Sequence, residues 1–122
     1  VAECKEKKHL PILVIDSKLM PNIAKHIRAA QAAGQPRVLT YLGAGSPQQT
    51  SNRKAACGRF KKTTPNGSCD EYPFASVLEG GSGASIMEVP IGEQRTQGGV
   101  NNNFYRDKLK SEAGAKFLVV VK

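Results

Sequence analysis

The apolar residues of this 122-residue chain fall in short, interrupted runs, and the period of each run predicts an element. Leu10–Ile15 (Leu-Pro-Ile-Leu-Val-Ile) is continuous and reads as a buried strand. Pro21 then opens a helix with its fixed φ, and Ile23, Ala24, Ile27, Ala30 and Ala33 form its apolar stripe until Gly34 stops it. Arg37–Leu42 is a second strand, followed by a loop at 43–49 and a short helix at Thr50–Cys57 that shows Arg53 and Lys54 to solvent. Residues 58–69 are turn-rich, 70–78 are compact without a decisive period, and 79–82 make a glycine hinge. Ala84–Val89 alternates as a strand until Pro90 ends it. A helix from Glu93 to about Ser111 follows, weakened by Gly98 and Gly99, and Lys116–Val121 is a strongly apolar, central strand. The order βαβα–βαβ predicts one small α+β domain over residues 1–122, a mixed sheet flanked by helices, with no internal repeat or linker.

Composition narrows the class. At 39% hydrophobic residues there is enough apolar material for one modest core. No run approaches the ~20 apolar residues of a membrane span. The start, Val1-Ala2-Glu3-Cys4, carries neither an initiator Met nor a basic-then-apolar signal pattern, and reads as a processed product or excised domain, soluble and monomeric.

The formal charge of +8 conceals a division. Residues 1–62 carry twelve Lys and Arg against three acidic residues, whereas residues 63–122 carry six against seven. Between Lys62 and Arg95 there is no basic residue, yet Asp70, Glu71, Glu79, Glu88 and Glu93 lie there. A basic half suits a polyanion, because each cation that neutralises a phosphate releases counterions. An acidic half suits a divalent cation, which takes hard oxygen ligands. The plainer reading of the same charges is a solvated surface that aids solubility.

Of three cysteines, Cys57 and Cys69 bracket the turn-rich stretch and stand where a disulfide would close a loop. Such a bond is worth about 3 kcal/mol in the chain-entropy account and implies an oxidising compartment; two free thiols are the alternative. Cys4 is the odd one, unpaired or bonded elsewhere. With no CxxC and no Cys/His cluster, structural zinc is not expected. Gly43-Ala44-Gly45-Ser46 lacks the third glycine and the following helix of a dinucleotide fingerprint, and reads as turn punctuation. His9, at a strand edge, and His26, between Lys25 and Ile27, have no acidic partner in sequence. Both read as ordinary surface histidines, His26 partly exposed, which removes the usual general base.

What remains is 69–104. Asp70-Glu71 is a carboxylate pair beside Tyr72-Pro73-Phe74, a cluster that would pin it at a fixed angle. On a helix starting near Glu93, Gln94, Gln97 and Asn101 share one face, with Glu93 beside Gln97. Carboxylate and amide oxygens on a strand, a turn and a helix face make a candidate single-metal site. The alternative is an exposed polar helix with acidic residues favouring its N-terminal dipole.

Cys-Asp-Glu-Tyr-Pro-Phe-Ala (69–75), Glu-Gly-Gly (79–81) and Glu-Gln-Arg-Thr-Gln-Gly-Gly (93–99), in that order, resemble the NucA/NucB family of bacterial secreted deoxyribonucleases. The resemblance runs from about Leu10 to Val121. Val14–Lys18, Met20–Ala24 and Ala30, Ala33 and Gly34 are similar to members carried as C-terminal domains of large bacterial toxins. The family resembles the non-specific nucleases with a ββα-metal core, in which one divalent ion sits between a strand-end base and a helix.

The resemblance implies Asp70 as the catalytic acidic residue, with Glu71 beside it and Arg95 or Arg59 neutralising a phosphate oxygen. It implies one divalent cation, Mg²⁺ or Mn²⁺, held near Glu93, Gln94 and Gln97, with Glu79, Asn101 and Asn103 as outer support. Where relatives commonly have Asn, this chain has Gln94, so Glu93, Gln97 and Asn103 are alternative ligands. DNA is the expected partner, gripped by its backbone through Arg53, Lys54, Arg59, Lys61 and Lys62, since three Tyr, four Phe and no Trp leave little for base stacking. The implied setting is a largely sequence-non-specific endonuclease, secreted or delivered into a target cell, with an acidic immunity protein if it is a toxin. The rival is a basic DNA-binding module whose nuclease site has decayed.

Overall fold

The computed structural model describes residues 10–122. Five strands and three helices follow one another: β1 (Ile12–Ile15), α1 (Pro21–Ala32), β2 (Val38–Thr40), α2 (Pro47–Cys57), β3 (Gly67–Tyr72), β4 (Ser85–Pro90), α3 (Ile91–Asp107) and β5 (Lys116–Val121). His9 and Cys4 lie outside the described residues. The strands divide into two sheets. In the first, β5 is central as expected, parallel to β1 (Ile12 opposite Leu118) and antiparallel to β2 (Val38 opposite Leu118). In the second, β3 and β4 pair antiparallel, with Asp70 opposite Met87. The α+β class and its mixed sheet therefore hold.

Several boundaries move for identifiable reasons. β1 is only half buried: Leu13 and Ile15 enter the core, while Ile12 and Val14 face outward. A continuous apolar run cannot by itself distinguish a strand covered on both faces from one covered on a single face. Ala33 lies just beyond α1 and is exposed, because Gly34 reverses the chain with a φ of 107°. α2 starts at Pro47 rather than Thr50, since Ser46 caps it by accepting a hydrogen bond from the Gln48 N–H. β3 starts inside the expected loop, at Gly67, so Cys69, Asp70 and Glu71 are all strand residues. α3 starts two residues before Glu93 and ends at Asp107, and Lys110 and Ser111 then take positive φ as the chain turns toward β5.

The core lies between the helices and the two sheets. Ile23, Ala24, Ile27 and Ala30 of α1 pack with Leu13, Ile15, Leu39, Phe117 and Val119 of the first sheet. Tyr41 and Tyr105 stack with ring centroids 4.1 Å apart, and Phe104 meets Phe117 at 5.3 Å, which seats α3 on the same core. The order β3–β4–α3 is a continuous strand–strand–helix unit. Pro90 ends β4 and immediately begins α3, and the Ile91 N–H donates to the Asn66 carbonyl.

The Glu79-Gly80-Gly81 segment is structural. The Glu79 carboxylate accepts from the Thr40 N–H and Oγ1, both at 2.8 Å, tying the loop to β2. A Cβ on Gly80 would collide with the Phe74 carbonyl, and Gly81 takes a φ of 94° against Asn52. Asn52 in turn donates to the Ala75 and Val77 carbonyls.

Gly98 and Gly99 sit on exposed turns of α3, and a Cβ at either position would meet nothing within 4 Å. α3 therefore survives both glycines without needing either. Gly99→Ala should raise stability by about 0.5–1 kcal/mol by reducing unfolded-state freedom. Thermal unfolding checks this, and a lowered Tm would contradict the open packing around Gly99.

Candidate active site

Adjacent residues on a strand point to opposite faces, and β3 uses this to send two carboxylates in different directions. Asp70 turns toward α1, where its Oδ2 lies 2.6 Å from His26 Nδ1; Asp70 is 1% exposed and His26 4%. His26 Nε2 is 2.9 Å from Ser85 Oγ on β4. The expectation of a partly exposed, unpartnered His26 is thus corrected: it is buried and bonded to the principal acidic residue. Glu71 turns toward α2, with Oε2 3.1 Å from Cys57 Sγ. Cys57 and Cys69 form a disulfide, so that sulfur has no proton to donate. Glu71 Oε1 is buried with no hydrogen-bond partner.

Burial pushes the Asp70 carboxyl up, the His26 hydrogen bond and charge oppose that rise, and nearby Glu93 adds to it. Glu71 is likewise raised by burial, with the Arg53 charge pulling it down, Asp70 pushing it up and the Ala75 backbone N–H pulling it down again. The two groups are neighbours with different partners, which is how paired carboxylates acquire different roles.

Both line a cleft of about 350 Å³ whose other wall is α3. Gln94, Gln97 and Asn101 all face it, as their shared helix face requires, and Arg53 and Arg95 stand at its exposed rim. Gln94 Nε2 donates to the Cys69 carbonyl at 2.6 Å, so that amide braces β3. Gln97 Nε2 and Asn101 Oδ1 are buried without partners. Orphaned polar atoms of this kind are few in folded proteins, and water or a bound polar group is what ordinarily satisfies them.

The remaining expected residues divide. Glu93 does not line the cleft. Its carboxylate accepts from the Asn22 and Ile23 backbone N–H groups and from Asn22 Nδ2, satisfying donors that the start of α1 leaves free. Asn103 is exposed on α3, away from the cleft, and Glu79 is committed to Thr40. Lys54 is exposed on α2, and a shallow groove beside the disulfide is lined by Lys54 and Arg53. Arg59, Lys61 and Lys62 are exposed in the loop before β3 and do not reach the cleft. Among the described residues no cluster of three or more His, Cys, Asp and Glu stands together, so carboxylate ligands in this cleft would need amide oxygens or water beside them.

His26 is the residue that sequence reasoning missed, although a signal existed. It lies three residues after Ile23 and four before Ala30, inside the apolar stripe of α1, so helical geometry alone turns it inward. Ser85 had no comparable signal, since its role depends on strand pairing.

A strand–strand–helix unit that holds two buried carboxylates in a polar cleft under two arginines is the framework of a hydrolase for an anionic substrate. The chain matches the family model Deoxyribonuclease NucA/NucB over residues 27–120, and it belongs to that family. Cleavage of DNA is the activity that membership supports. A search of curated proteins finds no match.

Glu88 on β4 holds the basic loop in place. Its carboxylate accepts from the N–H and Oγ1 of both Thr63 and Thr64, and these bonds pull its pKa down. A lowered folded-state pKa contributes stability that is complete above the unfolded pKa and lost as pH falls through the folded one. Glu88→Gln should therefore speed amide exchange at Thr63 and Thr64 at neutral pH. The natural chain should loosen in the same way only below the ordinary carboxylate range. Equal protection in both proteins at neutral pH would show that Glu88 does not anchor the loop.

Proposed function

We propose that the protein is a divalent-metal-dependent endonuclease that hydrolyses DNA phosphodiester bonds with little sequence preference. The observation that carries this reading is the pair Asp70 and Glu71, buried side by side at one cleft with different partners. Asp70 is the base: one oxygen is held by His26, and the other takes the proton of the attacking water. Arg95 and Arg53, at the cleft rim, neutralise non-bridging phosphate oxygens and orient the backbone for attack.

The donor set of the cleft fits a hard, largely hydrated cation. Glu71 Oε1 and Asn101 Oδ1 are buried acceptors without donors, and a half-turn of the Gln97 amide presents a third oxygen. Mg²⁺ and Mn²⁺ suit such a site, since Mg²⁺ keeps several waters and takes one or two carboxylates plus substrate phosphate. When bound, the ion stabilises charge on the phosphoryl group and on the leaving 3′ oxygen. Of the helix residues expected to hold it, Gln97 remains in this role, joined by Glu71 and Asn101. Gln94 and Glu93 support it from behind, through the Cys69 carbonyl and the start of α1.

Substrate contact is led by the phosphate backbone. Arg53 and Lys54 on α2, and Arg59, Lys61 and Lys62 on the loop, are exposed cations that would neutralise the phosphates of DNA on either side of the scissile bond. The Cys57–Cys69 disulfide supports passage through an oxidising compartment, as an exported protein makes, whether it is then secreted or delivered as an antibacterial toxin domain. In the toxin setting, the basic half of the chain suits neutralisation by an acidic immunity protein.

Plasmid cleavage in Mg²⁺, in Mn²⁺ and in EDTA tests the proposal. Cutting should require metal, and Asp70→Asn should lower the rate by about 10²–10⁴-fold with the fold intact. Cutting that survives EDTA overturns the metal requirement, and an active Asp70→Asn overturns the role of Asp70. DNA retardation without cutting in any metal favours a binding module. Activity should also fall steeply between low and physiological salt, and a flat response would refute backbone-led binding.

A further inference from the structure

His26 is buried and does not line the cleft, yet it is bonded to the proposed base. Both of its ring nitrogens are engaged, Nδ1 with Asp70 and Nε2 with Ser85. Because one bond goes to α1's neighbour β3 and the other to β4, a flip or tilt of the ring breaks both at once. The ring itself is wedged in the α1 stripe between Ile23, Ile27 and Ala30. An apolar side chain would fill that space without the cost of burying two polar nitrogens. Simple packing therefore does not account for a histidine there.

We propose that His26 is a positioning residue for the hydrolysis: through Nδ1–H it clamps Asp70 Oδ2, directing Oδ1 at the water-binding side of the cleft, while Ser85 fixes the ring. The inference rests on the nuclease reading above and assigns a part to a residue outside the family match, which begins at Ile27. A carboxylate turns freely about its terminal torsion unless one oxygen is held. A single bond of 2.6 Å to a ring that cannot itself rotate removes that freedom before substrate arrives. Asp70 accepts from Nδ1–H, and Nε2 shares the second bond with the Ser85 hydroxyl, which can donate or accept there.

The test uses four variants of the whole chain, with kcat and KM measured separately on duplex DNA and Tm measured beside them. His26→Ala should lower kcat about ten- to a hundredfold with KM nearly unchanged. His26→Asn, whose amide N–H stands close to the lost Nδ1–H, should restore most of kcat. Ser85→Ala should lower kcat severalfold, again without a change in KM. A downfield imidazole N–H proton signal should be present in the natural protein and vanish in Asp70→Asn.

Wild-type kcat in His26→Ala overturns the proposal. So does an equal loss of kcat in His26→Ala and His26→Asn that only tracks Tm, which is what a merely structural histidine would give. If His26→Ala does not fold, Ser85→Ala decides, and an unchanged kcat there is negative. The two readings fail separately: an active Asp70→Asn sinks the nuclease assignment, whereas an inactive Asp70→Asn beside a fully active His26→Ala sinks only the clamp.

Discussion

Withdrawing two adjacent carboxylates from water is costly, several kcal/mol for each ion after relaxation, unless something nearby compensates. Asp70 is almost wholly buried and Glu71 nearly so, and much of the surrounding structure answers that cost. Along β3 the two carboxylates turn to different neighbours while both border the one cleft. α1 brings His26 to one and α2 brings Arg53 to the other. α3 closes the cleft with an amide face instead of an apolar one, leaving Glu71 Oε1 and Asn101 Oδ1 open for an incoming group. Departures from local satisfaction of this kind concentrate at functional sites, which is why the proposed chemistry is placed here.

The other carboxylates of the acidic segment show the contrast. Glu79, Glu88 and Glu93 each accept several hydrogen bonds from backbone N–H and side-chain donors in segments distant in sequence. They act as fasteners: Glu79 joins the glycine loop to β2, Glu88 joins the basic loop to β4, and Glu93 joins α3 to the start of α1. Charge-assisted bonds of this kind are about twice as strong as neutral ones, and bidentate acceptance adds direction. A run of five acidic residues therefore divides into three that hold the frame and two that the frame surrounds.

The disulfide serves the same frame. It ties the end of α2 to the residue before Asp70, and Gln94 grips the Cys69 carbonyl from the other side. β3 is thus held from both neighbours at the position where movement would most disturb the carboxylates. A clamp of about 3 kcal/mol in the loop-closure account matters in a domain this small, which buries a modest core.

The α+β class, the central β5, the Cys57–Cys69 pairing, the carboxylate pair at 70–71 and the amide face at 94, 97 and 101 were all legible in the amino-acid sequence. Each depends on a local period, a spacing or a motif carried by neighbouring residues. The sequence was silent on the partners of those residues. Glu93 and Asn22 meet across 71 positions, His26 and Asp70 across 44, and Ser85 and His26 across 59. Whether a carboxylate faces the cleft or a backbone N–H is set by how helices cross strands, and no local pattern encodes that crossing. Sequence by itself determined which groups were available for chemistry. Only the tertiary structure decided which were fasteners and which were left open, because a buried charge takes its role from whatever partner packing brings within about 3 Å.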